Sequence, residues 1–359
     1  MPLEPAYHDP AEPAGREHLA RHLEAGGVAA LPTDTVPGIG ALAGLPGAAE
    51  ALARLKGSAP DKPFSLHLRS AEDLRRFLPA LPPGLPAWLG ARLPGPLTVV
   101  LPRAWVGLPE GWDWPWPAVG LRLPDAPEYL AFARGLSAPL FMTSVNAHGE
   151  APLHGPALAA WLAERPEVAC GVRAAAVPDR PASAVVSFGP LPRLLRGSLA
   201  PSDLRPGRRV LVVCTGNTCR SPLAAALLEC ELAAAWGVPP ADLQELGWTV
   251  ASAGTFGMPG APASEHSAAA AAELGLDLGA HRSRHLEELA ALPWDLVLAM
   301  GRSHLGALPP PLAARAELFD PAGDEVADPF GGPLAAYRHM REQVRGAVAA
   351  RIEAWSHWA

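Results

Sequence analysis

The chain has 359 residues, 49% hydrophobic and 18% charged, with a formal net charge of −7. That length supports two domains with their own cores, the apolar content excludes a disordered chain, and the acidic balance excludes a general pull toward nucleic acid or anionic membrane. Residues 1–15 carry acidic side chains and no apolar stretch, no apolar run reaches the ~20 residues of a membrane span, and four cysteines make no disulfide framework, so the expectation is a cytoplasmic protein with no membrane partner.

In chain order, strand-like apolar runs stand at 28–31, 64–68, 97–101, 119–123 and 140–144, with more at 172–177, 184–187 and 193–195. Pro94-Gly95-Pro96 and the Trp/Pro run at 112–117 read as turns or loop, the tryptophans as loop packing over the core. A seam follows at 197–208, with two prolines and two glycines between apolar strands, and it divides the chain into domains 1–200 and 208–359. Beyond it the pattern alternates. Strand 209–213 leads to helix 222–236, strand 248–252 to helix 263–274, and strand 295–300 to a short helix. An extended piece at 317–319 and an amphipathic helix after Gly332 close the chain. The fold class is α/β, and the second half is a small doubly wound parallel sheet.

The first half carries an ordered series of short motifs: Pro32-Thr33-Asp34-Thr35 inside 26–40, Lys56-Gly57, Asp61-Lys62-Pro63, His67, Leu93 to Thr98, Arg122-Leu123-Pro124-Asp125, Thr143-Ser144-Val145-Asn146 and Leu194-Leu195-Arg196. Over about residues 15–200 this series is similar to the YrdC-type threonylcarbamoyl-AMP synthase family. The resemblance implies a YrdC-like twisted open α/β sheet. It also implies condensation of L-threonine, bicarbonate and ATP into threonylcarbamoyl-AMP for tRNA modification, with ATP and Mg²⁺ entering as substrate and tRNA-modification proteins as partners. By the same resemblance Thr33 and His67 contact threonine, and Lys56, Arg122, Ser144, Asn146 and Arg196 contact the nucleotide and its phosphates. Cations offset phosphate charge, and hydroxyls and amides orient it. Four positions depart from the family. Pro37 replaces a tyrosine, Ser58 replaces the arginine of Lys-x-Arg, Ser183-Ala184 replaces Ser-Thr, and Val145 replaces an alanine. Losing a phosphate-facing cation removes a contact worth ~1.5–3 kcal/mol. The departures keep a second reading open, in which this half is a non-catalytic module that binds nucleotide or RNA and directs the other half.

Four apolar residues, 210–213, precede Cys214-Thr215-Gly216-Asn217-Thr218-Cys219-Arg220-Ser221-Pro222, and an Ala/Leu-rich run follows. Pro222 suits the first turn of a helix, where a missing N–H costs nothing. Successive backbone N–H groups in such a strand–loop–helix turn converge into an anion nest, and the helix dipole adds positive charge. A phosphate dianion suits the nest, with Arg220 clamping two of its oxygens and Cys214 as nucleophile. Ser221 donates to the thiolate, and Asn217 tolerates the left-handed backbone that shapes the loop.

This segment resembles the signature of the low-molecular-weight protein tyrosine phosphatase family, Cys-x-Gly-Asn-x-Cys-Arg-Ser-Pro, with every fixed position met. The resemblance spans about residues 209–358 and implies hydrolysis of a phosphorylated protein through a phosphocysteine, with no cofactor and no metal. A phosphatase of this kind needs an acid for the leaving group and a base for water. Asp328 in Asp328-Pro329-Phe330 matches the family's Asp-Pro-aromatic in that dual role. In the family the second cysteine, here Cys219, forms a reversible disulfide with the nucleophile. No cysteine follows Cys230, so the arsenate reductase activity of this fold is disfavoured. Thr215, Gly216, Asn217, Thr218, Cys219 and Ser221 form the phosphate-binding loop, and Phe256 and Phe330 wall an apolar slot. Thr218 is similar to the residue of protein arginine phosphatases, where tyrosine-specific relatives carry a bulky aliphatic. Phosphoarginine is therefore the first expected substrate class and phosphotyrosine the second.

Overall fold

The computed structural model describes residues 6–57, 64–112, 114–146, 150–257 and 259–358, with Ala175 described by its backbone alone. The chain divides into two compact units: Met1–Ala80 with Leu89–Leu204, and Leu81–Trp88 with Arg205–Ala359.

The first unit is built on a nine-stranded mixed sheet. Its strands are β1 (Val28–Leu31), β2 (Gly38–Leu42), β3 (Ser65–His67), β4 (Leu97–Pro102), β5 (Ala118–Arg122), β6 (Leu140–Ser144), β7 (Val168–Cys170), β8 (Ala184–Ser187) and β9 (Arg193–Arg196). They lie in the order β7-β1-β2-β6-β3-β5-β4-β8-β9. Every residue of β1 and β2 is buried, which is why β1 reads as a continuous apolar run without alternation. The helix Pro13–Glu24 lays Leu19 and Leu23 onto a core with Leu31, Tyr129, Phe132 and Leu140.

Two sequence expectations change here. β2, at Gly38–Leu42, is a strand beyond the apolar runs read from the sequence. It pairs antiparallel with both β1 and β6, and a Cβ at either glycine would lie 2.9 Å from the Met142 side chain. The glycines make room for that cross-strand methionine. The run at 172–177 is not a strand. The strand lies earlier, at Val168–Cys170, parallel to β1, and Ala174–Ala176 form a 3₁₀ turn. A short apolar run cannot by itself separate a strand from a buried turn. Trp112 and Trp114 pack near Phe141, with ring centroids 6.3 and 5.6 Å away, so the tryptophan run is core-covering loop.

The second unit holds β10 (Arg209–Cys214), β11 (Thr249–Gly254), β12 (Leu296–Ala299) and β13 (Ala316–Leu318), all parallel, in the order β11-β10-β12-β13. This is a doubly wound order. The chain leaves β10 toward β11 on one side and later returns to β12 on the other, which opens a crevice at the carboxyl end of β10. Leu211 and Val213 face Leu286, Leu289, Trp294 and Leu308. On the opposite face the helix Arg220–Trp236 packs on β10 and β11 and against the helix Leu334–Ser356. Buried Arg351 ties that last helix to the sheet edge, donating through Nε to Phe319 O and through Nη1 to Glu317 Oε1, each at 2.6 Å.

Residues Leu81–Trp88 belong to this second unit. The Leu81 and Gly84 N–H groups donate to Ser356 O at 3.1 Å and Trp355 O at 2.9 Å, and Trp236 Nε1 donates to Pro83 O at 3.1 Å. Nothing in the composition of 81–88 announces this, because its partners lie 150 or more residues along the chain.

Candidate functional site

The loop between β10 and the helix Arg220–Trp236 is shaped by Asn217, whose φ is +53°, the left-handed region that asparagine tolerates. The side chain secures that turn. Asn217 Nδ2 donates to Ser221 Oγ and to Ser252 Oγ, each at 2.9 Å, and Oδ1 accepts from the Arg284 N–H at 2.9 Å. His281 Nε2 donates to the Asn217 carbonyl at 2.7 Å, and burial pushes the pKa of this imidazole down, consistent with a neutral donor. The Asn217 N–H then points at Cys214 Sγ, 3.3 Å away, and Ser221 Oγ lies 3.0 Å from the same sulfur. Ser221 accepts from Asn217, so its own hydrogen is free for the sulfur. The strand end comes close beneath the loop. A Cβ at Gly254 would lie 2.5 Å from Thr215 O, and one at Gly257 would lie 2.8 Å from Gly216 O.

Arg220 opens the helix with its side chain 8% exposed. Its Nη2 donates to Thr215 Oγ1 at 3.2 Å and to Asp328 Oδ2 at 2.6 Å, while Nε is buried without a hydrogen-bond partner. Asp328 is half exposed and also accepts from the Phe330 N–H at 3.2 Å. A cavity of about 410 Å³ lies over the loop. It is lined by Cys214, Thr215, Gly216, Thr218, Cys219, Arg220, Asp328, Phe256 and Phe330, with Gly257 and Ala261. Phe256 and Phe330 remain 86% and 81% exposed. Asn217 and Ser221 lie fully buried outside this lining and support the loop. Cys219 donates to Ser264 Oγ at 3.3 Å and stands 3.6 Å from Tyr337 OH. Cys170, Cys214, Cys219 and Cys230 are free thiols.

Several residues of this site were not singled out as site residues from the sequence. Ser252, His281 and His304 hold the loop from three other segments; Ser252 falls in a Ser-Ala-Gly stretch of the phosphatase resemblance, and no local pattern marks the two histidines. His304 is 4% exposed and places Nε2 2.9 Å from Thr215 Oγ1.

In the first unit a cavity of about 260 Å³ is lined by Thr33, His67, Arg122, Ser144 and Arg196, together with Thr98 and Ser183. Arg122 on β5 is buried. Its Nη2 donates to Asp34 Oδ1 at 2.5 Å and to Thr35 Oγ1 at 2.6 Å, and its Nε has no hydrogen-bond partner. Burial, and then the Arg122 charge, push the His67 pKa down to about 3, so the imidazole is neutral. Arg196 donates to Ser183 O at 3.1 Å and Ser183 Oγ at 3.2 Å, and Ser183 Oγ lies 3.0 Å from Thr98 Oγ1. Lys56 and Asn146 are not on the lining. Lys56 Nζ donates to Asn146 Oδ1 at 2.5 Å and to Ser144 O at 3.1 Å, and Ser144 Oγ donates to the same Oδ1 at 2.7 Å. Burial holds the Lys56 pKa at about 8. Pro37 lines a neighbouring cavity with Thr33 and Thr35. Ser58 and the Asp61-Lys62-Pro63 motif lie outside the described residues.

Among the described residues no helix is long and apolar enough to cross a membrane, and no three His, Cys, Asp or Glu side chains gather as a metal site.

Comparison with known proteins matches two regions of the chain. The profile of the Sua5/YciO/YrdC family, described as telomere recombination, matches residues 21–197. That of low molecular weight phosphotyrosine protein phosphatases matches residues 209–355. A protein-arginine-phosphatase of Geobacillus stearothermophilus is 37% identical over 151 residues, 38% of this chain and 88% of that protein. The low molecular weight protein-tyrosine-phosphatase Etp of Escherichia coli K12 is 34% identical over 136 residues, 36% of this chain and 83% of its own length. The human threonylcarbamoyl-AMP synthase is 36% identical over 130 residues, 36% of this chain, which spans only 45% of that relative. The chain belongs to the low molecular weight phosphotyrosine protein phosphatase family through residues 209–355, and carries ahead of that region a Sua5/YciO/YrdC domain at residues 21–197.

Proposed function

We propose that the chain is a bifunctional enzyme with domains at 1–200 and 208–359, the second of which hydrolyses phosphoarginine on proteins through a phosphocysteine. The observation that carries this reading is the convergence of Asn217 N–H and Ser221 Oγ on Cys214 Sγ beneath a cavity that Arg220 and Asp328 also line. The Cys214 thiolate attacks phosphorus. The bond from phosphorus to the leaving nitrogen breaks, and its electron pair takes the proton of the Asp328 carboxyl. Asp328, now a carboxylate, accepts a proton from water as that water attacks the phosphocysteine. The P–S bond breaks, inorganic phosphate leaves, and the thiolate returns. Arg220 gives up Asp328 Oδ2 for the phosphate oxygens, and its unpartnered Nε is a further donor for them.

Thr218 on the cavity wall and the protein-arginine-phosphatase relatives support phosphoarginine, and the tyrosine phosphatase relative keeps phosphotyrosine as second choice. The test is kcat/KM on phosphoarginine and phosphotyrosine proteins side by side, with Cys214→Ser as the inactive control. Turnover by the serine variant overturns the assignment.

For the first domain, the proposal is formation of threonylcarbamoyl-AMP, pyrophosphate and water from L-threonine, bicarbonate and ATP, for use by tRNA-modification partners in the cytoplasm. Arg122 Nε is a buried donor without a partner, on a cavity it shares with Arg196, and suits an anionic group. Magnesium would arrive on the triphosphate as part of the substrate. One observation favours the second reading, a non-catalytic nucleotide- or RNA-binding module. Lys56 is engaged internally with Ser144 and Asn146 and does not line the cavity. Pyrophosphate release by the full chain, dependent on both threonine and bicarbonate, separates the two.

A further inference from the structure

His304 takes no part in the chemistry above, yet it is buried against the phosphate loop. Arg220 fixes the direction of the first hydrogen bond in this cluster. Arg220 can only donate, so Thr215 Oγ1 accepts from Nη2. The hydroxyl still has its own hydrogen to give, and His304 Nε2 is 2.9 Å away. Nδ1 is buried without a hydrogen-bond partner, and with the ring hydrogen assigned to it Nε2 accepts from the Thr215 hydroxyl. The ring is neutral, since burial and then the neighbouring Arg220 charge lower its pKa, against the weaker opposing pull of Asp328 and Glu325. In this tautomer the chain runs one way, from the Arg220 N–H to the Thr215 oxygen and from the Thr215 O–H to His304 Nε2. Donation by a cation polarises the hydroxyl and strengthens its own donation.

Arg220 Nη2 is also held by Asp328 Oδ2, at 2.6 Å against 3.2 Å for Thr215. Thr215 borders the open cavity, and an unrestrained threonine hydroxyl there would turn toward solvent or Asp328. We propose that His304 is a positioning residue for phosphate binding: it fixes the Thr215 hydroxyl as an acceptor, and that acceptor holds the Arg220 guanidinium over the loop when Asp328 lets go. Thr215 then acts as the middle of a three-residue relay, with no direct role in the bond-breaking steps.

The proposal rests on the phosphatase reading, and its test keeps the two apart. Inorganic phosphate affinity by calorimetry, and KM and kcat on a phosphorylated protein, are measured for the full chain and for His304→Ala, His304→Gln, Thr215→Val and the double variant His304→Ala with Thr215→Val. His304→Ala and Thr215→Val should each weaken phosphate affinity and raise KM about tenfold, with kcat changed far less. His304→Gln, whose amide oxygen can accept the same hydroxyl, should recover most of the affinity. The double variant should be no worse than either single one, since one chain of bonds is lost only once. Wild-type phosphate affinity in His304→Ala, additive losses in the double variant, or a fall in thermal stability and kcat with affinity intact each overturn the relay. If His304→Ala does not fold, Thr215→Val against His304→Gln decides: equal losses overturn the proposal, and rescue by glutamine alone supports it. A full chain that neither binds phosphate nor hydrolyses phosphoarginine or any phosphoester overturns the phosphatase reading instead.

Discussion

Asp328 is half exposed and shares Arg220 Nη2 with Thr215, so the residue proposed to move protons is also the resting counter-ion of the residue proposed to grip phosphate. Asp328→Asn should therefore separate two effects. It removes proton delivery, which matters most for a basic leaving group, and it releases Arg220. With phosphoarginine protein kcat should fall roughly 10²-fold or more, while an activated aryl phosphate should lose much less. Equal losses on the two substrates would leave Asp328 as a turn residue only. Thr218 lies on the wall of the same cavity and is the residue proposed to set specificity. Thr218→Ile adds bulk and removes an acceptor, leaving guanidinium N–H groups unpaired at ~1–3 kcal/mol each. The ratio of kcat/KM for phosphoarginine over phosphotyrosine should fall about tenfold or more. An unmoved ratio would remove the residue-level support for phosphoarginine.

Between elements, Glu273 joins the end of the helix Glu265–Ala272 to the helix Leu334–Ser356. Its carboxylate accepts from Arg338 Nη2 and from Arg341 Nη1, each at 2.5 Å. These two guanidinium groups hold its pKa at about 2, well below the usual glutamate value. A carboxyl whose folded pKa is depressed lends stability above its unfolded pKa and loses it as pH falls through the folded one. The window here runs from about pH 4.3, the ordinary glutamate value, down to about 2. Glu273→Gln should lower Tm slightly at pH 7, and the gap from wild type should close across that window. Thermal unfolding of both proteins between pH 7 and 2 checks it, and a constant gap would mean that charge is not what joins the helices.

At the scale of the whole chain, the second unit is completed by eight residues from the middle of the first half, Leu81–Trp88. Gly84 sits there at φ +84°, and a Cβ on it would lie 2.4 Å from Pro206 O. Gly84→Ala should destabilise that unit by ~1–3 kcal/mol, read as a lower Tm with loss of phosphatase activity at the same temperature. A fragment 205–359 should be less stable than the same unit in the full chain, because it loses the hydrogen bonds that Pro83 O and the Leu81 and Gly84 N–H groups make with Trp236, Ser356 and Trp355. Equal unfolding temperatures for fragment and full chain would show that residues 81–88 only rest on the surface.

The parts of this protein legible in its sequence are those encoded by neighbouring residues. The parallel sheet of the second unit follows from alternating apolar strands and helices. The loop 214–221 is readable because one strand, five loop residues and one helix start build the nest from contiguous backbone. The two family regions are likewise carried by local motifs. What only the tertiary structure decided is what distant segments bring to one place. Asp328 meets Arg220 across 108 residues, His304 meets Thr215 across 89, and Arg122 meets Asp34 across 88. No local propensity marks such pairs, because packing selects them. The same reason explains β2, a strand whose glycines answer to Met142 on β6, and the run at 172–177, where a turn replaces the strand its apolar residues suggested. Lys56 and Asn146 show the converse. Their motifs lie in order along the chain, yet the fold joins them to Ser144 and to each other outside the cavity lining, since burial favours satisfying the ammonium internally.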